Sequence, residues 1–181
     1  MTPAEYVQLR AFARYDGLLL SLLWMLSFAC YIIGLSNPSI SLLVFVLVAA
    51  TPFFVAIRLK AFRDYGREGV ISFRRGWGYV VLTFFYAALL FAVAQYIYFA
   101  YLDQGYFLQM IQKMLDSPEN EQILSQYATK DAFDQMVNDM RTVRPIDLAL
   151  SVLQANILIG VVLGLPIAAL MRSSVKIPNN Q

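Results

Sequence analysis

Histidine is absent from this chain, and cysteine occurs once, as Cys30. Without histidine there is no imidazole to act as a general base, and the usual Cys/His ligand sets of zinc are excluded. A single cysteine cannot form a disulfide within the chain. The sequence also lacks a glycine-rich phosphate loop and a nucleophile with a base beside it. We therefore expect no enzyme activity, no cofactor and no metal ion.

Charged residues are scarce: they make up 14% of the 181 residues, whereas 59% are hydrophobic. Soluble domains usually contain about 45–50% apolar residues. Long apolar runs at residues 17–35, 40–59, 77–102 and 146–171 account for the difference. Each is long enough to cross a bilayer as a helix. The sequence thus predicts an all-α, polytopic membrane protein with four transmembrane helices.

The chain opens with a signal for the start of a helix. Thr2 is followed by Pro3 and, three residues after the threonine, by Glu5, which is the pattern of a capping box. It predicts an amphipathic N-terminal helix over residues 1–16 that leads into the first apolar run. In the second run, Pro52 is expected to kink the helix.

Residues 58–78 connect the second and third runs and are strongly basic. They contain six Lys or Arg residues and two acidic ones, a net charge of +4. Short loops rich in Lys and Arg remain on the cytoplasmic side of a membrane. With four spans, both termini lie on the side of this connector, including the basic tail at residues 172–181. We therefore expect both termini in the cytoplasm. Most basic residues cluster beside apolar runs and most acidic residues cluster elsewhere, a distribution that argues against nucleic acid as a partner.

Two interpretations of the basic connector remain open. Either the connector determines only the topology, or its arginines also bind anionic lipid headgroups, which attract basic side chains at the cytoplasmic surface. The candidate lipid-binding residues are Arg63, Arg67, Arg74 and Arg75.

Uncharged polar residues interrupt the third and fourth runs. Gln95 and Gln154 both lie roughly 10–12 Å inside the outer ends of adjacent antiparallel helices, at 1.5 Å per residue. Amides at matched depth are expected to hydrogen-bond each other, since each relieves the desolvation of the other. With Asn156 they form a candidate polar cluster, which is either a link between helices or a site for a polar ligand.

Small residues mark candidate packing faces on the same two helices. Ala88 and Ala92 share a face with Gln95, and Gly160 and Gly164 form a GxxxG surface. This surface packs against another helix of the chain or against a second copy in a homo-oligomer. No charged residue is expected deep in any run, which disfavours ion-coupled transport.

Residues 103–145 form the predicted outer segment, which is acidic, with a net charge of −3. Two amphipathic helices are indicated by apolar stripes at helical spacing. These are Phe107, Met110 and Met114, and Phe133, Met136 and Met140. A third short helix with Ile123, Leu124 and Tyr127 is predicted between them.

The stripes of the outer segment could pair with each other, lie on the bilayer or contact a partner protein. The acidic charge disfavours binding to anionic lipid. Methionine is flexible and suits an adaptable contact surface. We expect part of the apolar area around the four methionines to remain open.

Several short stretches resemble a known family. They are YDGL at 15–18, GVISF at 69–73 with WG at 77–78, and YIYF at 96–99 with YLD at 101–103. With its order of spans, the chain resembles the domain of unknown function 4199 family of bacterial membrane proteins, common in Bacteroidetes. Gln104 stands where this family often has a proline. The resemblance implies four transmembrane helices, the bacterial inner (plasma) membrane and proximity to membrane glycosyltransferases, but no activity.

Two functional hypotheses follow. The first is a non-catalytic accessory or scaffold subunit of a membrane assembly, which suits a bundle with packing motifs and no reactive groups. The second is a small transporter or a lipid-handling protein, with Pro52, Pro166 and the glutamines lining a path. Under both hypotheses the expected partners of the protein are the lipid bilayer and either another membrane protein or a second copy of the chain.

The charge distribution makes a direct prediction about topology. A reporter fused after Gln181 is expected to stay on the cytoplasmic side, because the basic residues of the connector and tail flank the spans on that side. Labelling the reporter in intact cells and in inverted vesicles measures its side. Translocation of the reporter would contradict the assignment.

Overall fold

The computed structural model describes residues 2–117 and 130–174. Its first helix, α1, runs unbroken from Pro3 to Gly34. The capping box is present: the Glu5 N–H donates to the Thr2 hydroxyl at 3.3 Å, and the Thr2 N–H donates to the Glu5 carboxylate at 2.9 Å. The N-terminal amphipathic helix and the first apolar run are therefore one continuous helix.

The remaining helices follow in a simple order. They are α2 (Pro38–Gly66), α3 (Phe73–Ile97) with a π-helical turn (Tyr98–Leu102), α4 (Tyr106–Leu115), α5 (Lys130–Thr142) and α6 (Pro145–Met171). Four segments are long and apolar enough to cross a membrane: α1, α2, α3 with its π-helical turn, and α6. The predicted all-α membrane fold, with an amphipathic helical segment before the last span, is confirmed. The short helix predicted around Ile123, Leu124 and Tyr127 lies outside the described residues, as does the tail from 175 to 181.

The basic connector is mostly helical. Because α2 ends at Gly66 and α3 begins at Phe73, only residues 67–72 lie outside helices. Lys and Arg are good helix formers, and their long stems let the charges reach the surface from a helix. Glu68 and Gly69 adopt φ angles of 51° and 84° and reverse the chain. Several of the cations therefore have positions fixed by helix geometry.

One end of the bundle joins three parts of the chain. The Ile71 and Ser173 backbones exchange two hydrogen bonds, of 3.0 and 3.1 Å, so the connector pairs with the residues that follow α6. The Gln8 side-chain amide of α1 donates to the Gly66 carbonyl at 3.1 Å. The start of α1, the connector and the end of α6 thus lie together, as four spans require.

Helix α3 lies between α1 and α6, and both neighbours approach it through glycine. A Cβ atom on Gly17 of α1 would lie 2.7 Å from the Tyr86 Cβ. On α6, a Cβ on Gly160 would lie 2.4 Å from the Phe84 Cβ, and one on Gly164 would lie 2.9 Å from the Trp77 ring. The GxxxG surface therefore packs inside the chain. Ala88 and Ala92 are buried on α3, as expected for packing residues.

The turn between α3 and α4 has a backbone conformation that excludes proline at position 104. Asp103 accepts hydrogen bonds from the Gly105 and Phe107 N–H groups, at 3.1 and 3.0 Å. Gln104 in this turn has a φ of 45°. Proline is locked near −65° and could not adopt this angle. The turn thus has a conformation that requires a residue other than proline at this position.

The tight contact at Gly160 predicts a large effect of one methyl group. Gly160→Ala should lower the free energy of unfolding by about 1–3 kcal/mol, because the new Cβ overlaps Phe84. The matched control is Gly78→Ala on α3, where no atom lies within 4 Å of the added Cβ. Thermal unfolding in detergent compares the two. Equal stability of both variants would contradict the close packing of α3 and α6.

Candidate functional site

A buried ionic cluster joins the first three helices. The Asp16 side chain of α1 is only 1% exposed, and its Oδ1 accepts a hydrogen bond from Arg58 Nε of α2 at 2.5 Å. Its Oδ2 accepts a hydrogen bond from the hydroxyl of Tyr79 on α3. Both carboxylate oxygens are therefore occupied, and the three side chains connect α1, α2 and α3.

The surrounding packing holds this cluster in place. Gly17, next to Asp16, lets α1 approach α3 closely enough for the carboxylate to reach Tyr79. The ring of Phe62 stacks on Tyr79 with centroids 4.9 Å apart. The Arg58 guanidinium lies 5.8 Å from the centre of the Tyr15 ring and is 30% exposed. The arginine thus bridges the buried carboxylate and the surface.

Sequence reasoning missed this cluster. It treats Asp16 as the border of the first run and Arg58 as part of the connector, yet both lie on continuous helices that extend beyond the runs. The available signal was an acidic residue beside a glycine at the start of one run and an arginine at the end of the next. Their pairing depends on helix rotation, which run boundaries do not describe.

The predicted lipid-binding arginines are largely engaged within the protein. Arg67 and Arg75 both pair with Glu5, at 2.9 Å each. Arg63 pairs with Asp64 at 2.6 Å and donates to the Met171 carbonyl at 3.1 Å. Arg74 is exposed. Binding of anionic lipid by these residues stays a prediction, and three of them would have to exchange an internal partner for it.

The predicted hydrogen bond between Gln95 and Gln154 is not present. Gln95 is buried, and its Oε1 has no partner among the described residues, whereas Gln154 is exposed. Asn156 donates to the Val152 carbonyl of its own helix at 3.0 Å. The prediction compared the depths of the two residues but not their directions around the helix axis. Gln154 precedes Gly160 by six residues, so its side chain points about 120° away from the face of α6 that packs on α3.

An apolar cavity of about 300 Å³ lies among the four spanning helices. Pro52 and Thr51 of α2 line it, together with Trp24 of α1, Phe91 of α3 and Asn156 of α6. The Trp24 indole N–H donates to the Thr51 hydroxyl at 3.1 Å. Pro166 and the two glutamines of the proposed path are not among its lining residues. The cavity therefore differs from the polar path that the sequence suggested.

The helices α4 and α5 of the predicted outer segment pack against each other. Val137 of α5 is buried, and Arg141 of α5 donates to the Gln112 side chain at 2.8 Å. Phe107 of α4 contacts the Phe99 ring, with centroids 5.6 Å apart, and so anchors α4 on the bundle. Phe133, Met110 and Met140 are half-buried.

Two methionines of the outer helices remain accessible. Met114 is 48% exposed and Met136 is 44% exposed. The expectation of an open apolar surface stays a prediction; of its four methionines these two are the exposed ones, while Phe107 belongs to the internal packing.

These features define a class of protein: a four-helix membrane bundle with an ionic cluster at one end, an apolar cavity among its helices and a helical pair at the other end. The chain belongs to the family described as Protein of unknown function (DUF4199), whose model matches residues 15–173. No curated protein and no solved structure matches the chain. Asp16, Arg58 and Tyr79 all lie within the matched range.

Among the residues that the structure describes, no group of three or more His, Cys, Asp or Glu could hold a metal ion.

The ionic cluster predicts unequal effects from removing its two charges. Arg58→Gln should lower the free energy of unfolding by on the order of 3 kcal/mol, because it leaves the Asp16 carboxylate buried without its counter-charge. Asp16→Asn should cost less, about 1–2 kcal/mol, since Arg58 is partly exposed and can reach solvent.

The double variant provides the control for this cluster. Arg58→Gln with Asp16→Asn removes both charges, so its loss should be smaller than the sum of the single losses. Unfolding in detergent measures all three variants. Additive losses would contradict a direct ionic coupling, and equal losses from the two single variants would contradict the predicted effect of their different exposure.

Proposed function

We propose that the protein is a non-catalytic accessory or scaffold subunit of an assembly in the bacterial inner membrane, with both termini in the cytoplasm. The observation that carries the proposal is the accessible methionine surface of Met114 and Met136 on the outer helices. Methionine repacks readily against an irregular partner surface. The ionic cluster and the glycine contacts supply the rigid bundle on which this surface is held.

The proposed occupant of the methionine surface is another membrane protein. The outer segment is acidic, which disfavours its lying on anionic lipid. The GxxxG surface is covered by α3, so it does not serve to bind a second copy. The family resemblance suggests a membrane glycosyltransferase as the partner class. The proposal of a non-catalytic role rests on the lack of histidine and of a paired nucleophile and base in the sequence.

A second candidate function is lipid handling, and the apolar cavity favours it. Small-molecule sites typically have volumes of about 300–1,000 Å³ and mostly apolar linings. The cavity falls at the lower end of this range. This function is compatible with an accessory role, because a subunit can hold a lipid for its partner.

Methionine oxidation tests the accessory role. In the purified protein, an oxidant added from outside should convert Met114 and Met136 to sulfoxides several-fold faster than it does in native membranes, where the partner covers them. Mass spectrometry of peptides measures both rates. Reconstituted liposomes without a partner are the control, and oxidation there should be as fast as in detergent.

Two results would contradict the accessory role. Equal oxidation in purified protein and native membranes would mean that no partner covers the surface, and protection in liposomes would mean that the bilayer covers it. As a matched test, Met114→Glu with Met136→Glu should release the partner in a pull-down from native membranes. Gln109→Glu with Gln135→Glu adds the same charge on exposed positions of the same helices and should retain it.

A further inference from the structure

The apolar cavity lies around the middle of the spanning helices, where its lining on α6 extends from Asn156 to Leu163. On α1 its lining extends from Tyr31, three residues before the helix end at Gly34, to Trp24. On α2 it extends from Val44, six residues after the helix start, to Pro52. At 1.5 Å per residue, the lining begins about 5–9 Å from these ends of α1 and α2, and on α6 it covers the stretch about 16–27 Å from the helix start at Pro145. This depth corresponds to the hydrocarbon layer.

The mouth of the cavity faces the bilayer. Val48 of α2 is 56% exposed and Ile159 of α6 is 47% exposed, and both also line the cavity. Residues that line a cavity and are also exposed lie at its opening. The opening therefore includes the gap between α2 and α6, on the outside of the bundle, where membrane lipid surrounds the helices. Tyr31 of α1, which is 40% exposed and also lines the cavity, lies at its edge.

The lining suits a hydrocarbon chain. Trp24 forms edge-to-face contacts with Phe84 and Phe91, at 5.6 and 5.8 Å, and these rings form an apolar back wall. The Trp24 indole N–H donates to the Thr51 hydroxyl, and the Asn156 side-chain amide donates to a carbonyl of its own helix. Within the described part of the chain, no charged residue lines the cavity. A charged ligand group would lose its hydration there without gaining a partner.

The size of the cavity suits part of one chain. Its volume of about 300 Å³ corresponds to about ten groups of the size of a water molecule, at ~30 Å³ each.

The wall of α2 at the mouth lacks one backbone hydrogen bond. Pro52 has no N–H to donate to the Val48 carbonyl one turn earlier, so this part of α2 is less constrained.

We propose that this cavity binds one hydrocarbon chain of a membrane lipid, which enters sideways from the bilayer between α2 and α6. The lipid headgroup remains outside the cavity, so binding depends on the chain and is insensitive to headgroup charge. This inference rests on the lipid-handling function and gives it a ligand class. It is independent of the accessory role and of the methionine surface.

Trp24 provides a probe inside the cavity wall. The chain contains two tryptophans, so Trp77→Phe leaves Trp24 as the only one. In vesicles of phosphatidylcholine with bromine at mid-chain, a bound chain should quench Trp24 fluorescence to less than half of its value in the unbrominated lipid. Val48→Phe in this background narrows the mouth and should reduce the quenching at least twofold.

Val46→Phe is the matched control, because it makes the same change on an exposed position of α2 that does not line the cavity. Its quenching should match that of the parent. Ser27→Leu, which fills the cavity from α1, is a second variant that should behave as Val48→Phe does. Thermal unfolding of each variant shows whether it retains the parent fold.

Native mass spectrometry gives an independent measurement. The parent and Val46→Phe should retain one phospholipid per chain, with either a neutral or an anionic headgroup, whereas Val48→Phe and Ser27→Leu should lose it. Equal quenching in folded Val48→Phe and Val46→Phe, or retention governed by the headgroup, would overturn the proposal. Neither result would affect the methionine test, so failure of this inference is distinguishable from failure of the accessory role.

Discussion

Close approach of two helices to α3 is the constraint on which the structure depends. Gly17 of α1 and Gly160 of α6 each bring a helix backbone against α3, at distances that leave no room for a Cβ. In a bilayer, lipid is as apolar as the side chains, so dense packing and hydrogen bonds hold helices together. The glycines make that dense packing available on both sides of α3.

The ionic cluster follows from the same approach. Gly17 brings its neighbour Asp16 to Tyr79, and the carboxylate then needs a counter-charge because it is buried. Arg58 supplies that charge from α2 and reaches the surface with the rest of its guanidinium. A single close contact between α1 and α3 thus determines where α2 is attached.

Charge at this end of the bundle has a structural use. Glu5 pairs with Arg67 and Arg75, and Arg63 reaches the Met171 carbonyl, so the cations of the connector tie the start of α1 to the end of α6. Farther along the helices, α2 is more exposed than α1 or α3. The cavity lies where α2 contributes least to the packing, between this ionic end and the outer helices.

The sequence by itself determined the four spans, the amphipathic helices before the last span, and the common end at which the start of α1, the connector and the end of α6 lie. These properties follow from the length and polarity of each segment and from the number of crossings, which do not depend on the arrangement of neighbours. Only the tertiary structure decided which polar groups meet. Gln95 and Gln154 have matching depths but face different directions, whereas Asp16 and Arg58 meet because their helices extend past the apolar runs. Such pairings, like the cavity, depend on the rotation and separation of helices that are distant in sequence, and these are set by the packing of the whole bundle.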